Sequence, residues 1–159
     1  SSDLEEDVIA EHAQFVILES NNQALKLKAI QDSYNHYQNA TVLIADKDPE
    51  VRKACIDVDE DFAQQLIDDP DMDVRLACLE YEDCVDDLVN DVEPEIRKAC
   101  ARYYHGAVQL LNDEDPEVRR VCAGHYQCAL GMINDINEEV RSIAKITVET
   151  NRNLDLPFD

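Results

Sequence analysis

The chain has 159 residues, 36 of them acidic and 14 basic, for a net charge of −22. This balance repels nucleic-acid phosphate and anionic membrane surfaces, attracts basic partners, and leaves no Lys/Arg stripe for direct nucleic-acid binding. With 45% apolar residues, three Gly and no Trp, the chain has the composition of a folded domain but little material for Gly-rich phosphate loops or hairpin-rich β folds.

In chain order, residues 1–39 come first and fit the later repeat poorly. Asp7–Leu18 has helical spacing. Leu25–Tyr34 reads as a degenerate repeat, since Leu27-Lys28 lies 24 residues before Val51-Arg52. The segment is predicted to be an N-terminal helical cap over the apolar end that stacked repeats leave open. Its run Phe15–Leu18 is far short of the roughly 20 apolar residues that span a bilayer. The expectation is a soluble, cytoplasmic protein with no membrane partner.

From residue 40 the sequence repeats. Val51, Val74, Ile96, Val118 and Val140, each followed by Arg in one of five related copies of one motif, four of which place Cys three residues after that Arg, recur at intervals of 23, 22, 22 and 22 residues. Fixed self-similarity at this period signals a solenoid whose units bury their apolar faces against one another. Eight residues before each Val or Ile stands Leu43, Leu66, Leu88, Leu110 or Met132, and five before it stands Asp46, Asp69, Asp91, Asp113 or Asp135. Asp48-Pro49 and Asp115-Pro116 supply an N-cap and a first-turn proline, and Glu93-Pro94 is a weaker version. The residues at positions 0, +3 and +4 from the Val, such as Val51, Ala54 and Cys55, then form an apolar helical face. A second short helix is predicted in stretches such as Phe62–Ile67 and Ala107–Leu111, with room in each pair for one 3₁₀ turn.

The motif Leu-x-x-Asp-x-Asp-Pro-Glu-Val-Arg-x-x-Cys-Ala, as in Leu110–Ala123, resembles that of the leucine-rich repeat variant family and, more loosely, HEAT-like repeats. The resemblance implies a right-handed superhelix in which α-helices alternate with 3₁₀ helices, and a scaffold rather than an enzyme. An Asn-Pro pair usual in that family is replaced here by Asp57–Asp61, Glu80–Asp83 or Tyr103–His105. The predicted fold is an all-α, right-handed helical-repeat solenoid of about five 22-residue units over 40–148, with a C-terminal tail over 149–159.

The repeated Arg52, Arg75, Arg97, Arg119 and Arg141 each follow a repeated Asp by six residues. They are expected to form an Asp–Arg ladder that ties each helix to the preceding loop by charge-assisted hydrogen bonds. Cys55, Cys78, Cys100 and Cys122 recur at one helix–helix spacing, about 8–10 Å. That is too far for disulfides or a shared zinc ion, so small buried packing residues are expected. Cys78/Cys84 and Cys122/Cys128 leave room for a bond within one unit. No P-loop, G-x-S-x-G or H-E-x-x-H occurs, and His12, His36, His105 and His125 are scattered. Residues 69–80 place acids at calcium-loop positions 1, 3, 5 and 12, yet Val74 stands where that loop needs Gly. No catalytic residue, metal site or cofactor is predicted.

Positions that differ between units carry the functional expectation. From Asp57 to Glu95 there are 16 acids and one base. Asp57, Asp59, Glu60 and Asp61, then Glu80, Glu82 and Asp83, fill the inter-helix turn of the first two units, with Asp86 and Asp87 following. The next two units place Arg102, Tyr103, Tyr104 and His105, then Gly124, His125, Tyr126 and Gln127, in that turn. The acids are expected to bind a basic protein surface, with Tyr103, Tyr104 and Tyr126 as aromatic anchors. The alternative is nucleic-acid mimicry, in which the acids occupy the basic groove of a DNA- or RNA-binding protein.

Overall fold

A capping side chain marks where four of the five leading helices begin. The computed structural model describes residues 15–31 and 34–154, with side chains through residue 152. Residues 15–19 are helical. The earlier part of the expected Asp7–Leu18 helix and the tail beyond 154 lie outside the described residues. The leading helices are Pro49–Ile56, Met72–Cys78, Pro94–Cys100, Pro116–Cys122 and Glu138–Leu154. Asp48 accepts from the Glu50 N–H, Asp71 from Asp73 and Val74, and Asp115 from Glu117. Asn137 does the same for Glu139 and Val140. Each such cap contributes about 1 kcal/mol. Glu93 makes no side-chain cap bond, as its longer side chain suggests.

The trailing helices are Glu60–Leu66, Tyr104–Gln109 and Tyr126–Met132, all α. Only the second repeat, among the described residues, opens its trailing segment with a 3₁₀ turn, Glu82–Cys84, which runs into Val85–Leu88. Regular alternation of α with 3₁₀ is therefore not what this chain does. The reason is local: without proline in the turn, backbone N–H groups are available for i→i−4 bonds. Ala107 N–H to Tyr103 and Ala129 N–H to His125, both 2.8 Å, are such bonds. The last leading helix continues past residue 148 to Leu154 and has no trailing partner among the described residues.

Two compact units follow one another along the chain, Ser1–Glu80 and Tyr81–Asp159. In the first, helices Gln23–Gln31 and His36–Leu43 supply Ile30, Ala40 and Leu43 to one apolar cluster with Val51, Cys55 and Phe62. In the second, Ile96, Cys100, Val118, Cys122, Val140 and Ala144 are fully buried. Positions 0 and +4 of the motif thus form the inner face, each buried Val contributing about 1.5–3 kcal/mol. Position +3 (Ala54, Ala99, Val121) is only half-buried. All six cysteines are buried and free. Burial pushes the thiols of Cys55, Cys100 and Cys122 up to about 12. Cys55 Sγ donates to the Val51 carbonyl and Cys78 Sγ to that of Val74, both at 3.4 Å. A small residue that packs and also satisfies a helix carbonyl suits that slot.

Arg52, Arg97 and Arg119 form the expected ladder, each tied to the preceding loop at a backbone carbonyl and to the neighbouring repeat at a carboxylate. Arg52 clasps the carboxylate of Asp69, in the next repeat, through Nε (2.6 Å) and Nη2 (2.7 Å). Its Nη1 donates to the backbone carbonyl of Asp46, six residues earlier, at 2.7 Å. Arg97 repeats this with Asp113 and the Asp91 carbonyl, and Arg119 with Asp135 and the Asp113 carbonyl. The Asp six residues back therefore contributes a carbonyl, while the bidentate ion pair reaches forward. Each Asp also accepts the N–H two residues on, as Asp113 does from Asp115 at 2.8 Å. Where no arginine precedes the first rung, Lys26 pairs with Asp46. The sequence register pointed to Lys28; the helix phase puts Lys26 inward instead.

Candidate functional site

The ladder draws Arg52, Arg97 and Arg119 off the open surface. Arg97 and Arg119 are 9% exposed. Burial alone would raise the carboxyls of Asp69 and Asp113, but hydrogen bonds from Arg52 and Arg97 and from a local backbone N–H hold them below the usual range. At Asp135 the Arg119 hydrogen bond is the largest cause of the same lowering. Several remaining cations sit in i,i+3 pairs on single helices, Lys53 with Glu50, Lys98 with Glu95 and Arg120 with Glu117. This also disposes of the calcium-loop match, because Asp69 holds Arg52 and Asp71 caps its own helix. Among the described residues no cluster of metal-ligating side chains occurs.

The acids singled out in the sequence have a different fate. In the Ser1–Glu80 unit, Asp59 is a half-buried N-cap that accepts from Asp61 N–H, and Glu60 and Asp61 form the first turn of the helix it starts. They lie at a helix N-terminus rather than in an irregular turn, where the positive end of the helix dipole favours them. Asp57, Glu60, Asp61 and Glu80 are exposed. Asp57 and Glu80 occupy the same position of successive repeats, about 8–10 Å apart by helix packing.

In the Tyr81–Asp159 unit, Glu82, Asp83, Asp86 and Asp87 are exposed on the trailing segment of the second repeat. Among the described residues none of these carboxylates pairs with Lys or Arg. The neighbouring repeat meets two of them with milder groups: His105 Nδ1 lies 3.4 Å from Glu82, and Gln109 donates to Asp86 at 2.7 Å. On the far side of that repeat, the Tyr104 and His125 rings lie 6.1 Å apart. His125 Nε2 is 2.9 Å from the Ala101 carbonyl, a packing role. Of the three expected anchors only Tyr104 is exposed; Tyr103, which precedes its helix, and Tyr126 are half-buried. Sequence reasoning missed Val108 and Leu130, each one helical turn after a tyrosine and exposed beside it. Comparing outward positions between repeats would have found them.

The described residues are all-α and repeat one two-helix unit, which defines the class as a helical-repeat protein. Neither protein-family models nor curated proteins give a match to the chain. A solved structure described as a leucine-rich repeat variant with a novel repetitive protein structural motif does match, with a TM-score of 0.73 and 22% identity. The match covers 92% of this chain and 66% of that one, so the chain spans just under two thirds of the other's length. At that identity the likeness concerns the fold. No helix among the described residues is long and apolar enough to cross a membrane.

Proposed function

We propose that the chain is a non-enzymatic interaction scaffold that binds a basic protein surface through the exposed carboxylates of its trailing segments. One observation carries this reading: the segregation of charge. Arg52, Arg97 and Arg119 are drawn into the ladder, whereas Asp57, Glu60, Asp61 and Glu80 in one unit, and Glu82, Asp83, Asp86 and Asp87 in the other, face solvent with no Lys or Arg partner among the described residues. Like charges held together repel, and a cationic partner relieves that repulsion. Complementarity of this kind steers association and weakens with salt.

The test uses a Lys/Arg-rich peptide titrated against the full chain, followed by fluorescence anisotropy at low and high salt. Replacing Asp57, Glu60, Asp61 and Glu80 by Asn or Gln, and separately Glu82, Asp83, Asp86 and Asp87, is expected to weaken binding roughly tenfold in at least one set, about 1.4 kcal/mol. Binding indifferent to salt and to both sets removes the proposal.

A further inference from the structure

Within the Tyr81–Asp159 unit the trailing segments change chemistry from repeat to repeat at the same two outward positions. The second repeat places Glu82 and Asp86 there, the third Tyr104 and Val108, and the fourth Tyr126 and Leu130. Residues four apart share one helix face, so each repeat offers a two-residue ridge. Contacts fix the order of the ridges: Glu82 and Asp86 meet His105 and Gln109 of the third repeat, and Tyr104 faces His125 of the fourth. Tyr104 is 54% exposed, Val108 45% and Leu130 44%. An acidic ridge therefore stands beside an exposed apolar surface.

We infer that this face is a composite docking surface for a polypeptide segment carrying a Lys/Arg cluster followed by aliphatic or aromatic residues. The inference rests on the function proposed above and names the partner's chemistry. Cations of such a segment pair with Glu82 and Asp86, and its apolar residues cover Tyr104, Val108 and Leu130. Tyr104, at the junction, offers its ring to either group, since an aromatic face attracts Lys and Arg as well as apolar side chains. Charge selects among occupants. A second copy of a chain with net charge −22 brings like charge to the acidic ridge, and an anionic bilayer does the same. A neutral apolar segment leaves the carboxylates unanswered. From the acidic ridge to the fourth repeat is two helix spacings, roughly 20 Å, which a helical segment of about 13 residues spans.

Two synthetic peptides of equal charge test this. One has a Lys/Arg cluster followed by Leu and Phe; the other has Ser in place of those apolar residues. Wild type is expected to bind the first about tenfold tighter or more. Tyr104→Ser/Val108→Ser/Leu130→Ser is expected to erase that preference, by weakening the Leu/Phe peptide far more than the Ser peptide. Val108→Ser/Leu130→Ser, which keeps the ring, is expected to lower the preference with the Ser peptide's affinity unchanged. Neutralising Glu82, Asp83, Asp86 and Asp87 is expected to weaken both peptides. Tyr104→Ser alone, a single exposed change, is expected to reduce the preference about threefold, with circular dichroism and melting confirming a folded chain. Equal affinity of wild type for the two peptides, or a preference that survives the Ser substitutions, overturns the composite surface but leaves the acidic-site reading standing. Indifference of both peptides to neutralisation of the acids overturns both.

Discussion

Arg97 makes four hydrogen bonds through one guanidinium: Nε and Nη2 hold the Asp113 carboxylate, and Nη1 donates to the Asp91 and Val92 carbonyls. Removing one member of a buried pair leaves the other charged and unanswered, at about 3–5 kcal/mol. Arg97→Ala is expected to lose that much in urea unfolding, and Arg97→Lys, which restores charge without the planar fork, an intermediate amount. A loss below about 1 kcal/mol, the range of exposed pairs, contradicts the ladder. The aspartates give it a pH signature. Asp46, Asp69, Asp113 and Asp135 have carboxyls held below their ordinary value in the folded chain, about 3.9 when unfolded. As pH falls, the unfolded chain takes up protons first, so the ladder's contribution is full above that value. It is lost as pH drops through the folded pKa. Urea midpoints are expected to fall with acidification below about pH 4, less steeply in Asp113→Asn; an identical slope in that variant contradicts the assignment. Two glycines separate packing from freedom. A Cβ on Gly106 would lie 2.3 Å from the Cys100 carbonyl oxygen, whereas one on Gly131 meets nothing within 4 Å. Gly131→Ala is expected to raise stability by about 0.4–1 kcal/mol, and Gly106→Ala to lower it; thermal melts giving the same sign for both would refute this.

The leading helices were most legible where several signals agree, as over Pro49–Ile56 and Pro116–Cys122. Asp48 or Asp115 as cap, Pro49 or Pro116 in the first turn, and a Val–Cys face four residues apart each point to the same start and the same buried side. The trailing helices were less legible, since six or seven residues carry few apolar positions and their caps vary from Asp59 to Tyr103 and His125. Without Pro in that turn, nothing local enforces 3₁₀ geometry, and α-helix forms in most copies. The ladder's direction could not be read from spacing alone. An Arg six residues after one Asp is also 16 or 17 residues before the next, and helix packing makes the second partner the near one. Lys26 shows the same limit, because a two-residue phase difference hid its pairing with Asp46. Of the candidate site, the acids were visible as composition, as was Tyr104. The exposure of Val108 and Leu130 depends on which way their helices turn.

At the scale of the whole molecule, the question is whether a net charge of −22 acts everywhere or at particular carboxylates. A uniformly acidic chain attracts any cation in proportion to its charge, whereas a site binds through a few residues fixed by the repeat frame. Spatial segregation of charge within each unit argues for the second. Lys26, Arg52, Arg97 and Arg119 lie in rungs, Lys53, Lys98 and Arg120 in i,i+3 pairs, and the trailing-segment acids are left to solvent. The deciding measurement compares two charge-matched variants in peptide binding at fixed ionic strength. One neutralises Glu82, Asp83, Asp86 and Asp87; the other neutralises Asp68, Glu138, Glu139 and Glu149, which are exposed outside the proposed site. The expected result is roughly tenfold weaker binding of a Lys/Arg-rich peptide in the first and nearly wild-type affinity in the second. Equal weakening in both would mean that net charge alone does the binding, and that the trailing segments are solvated surface.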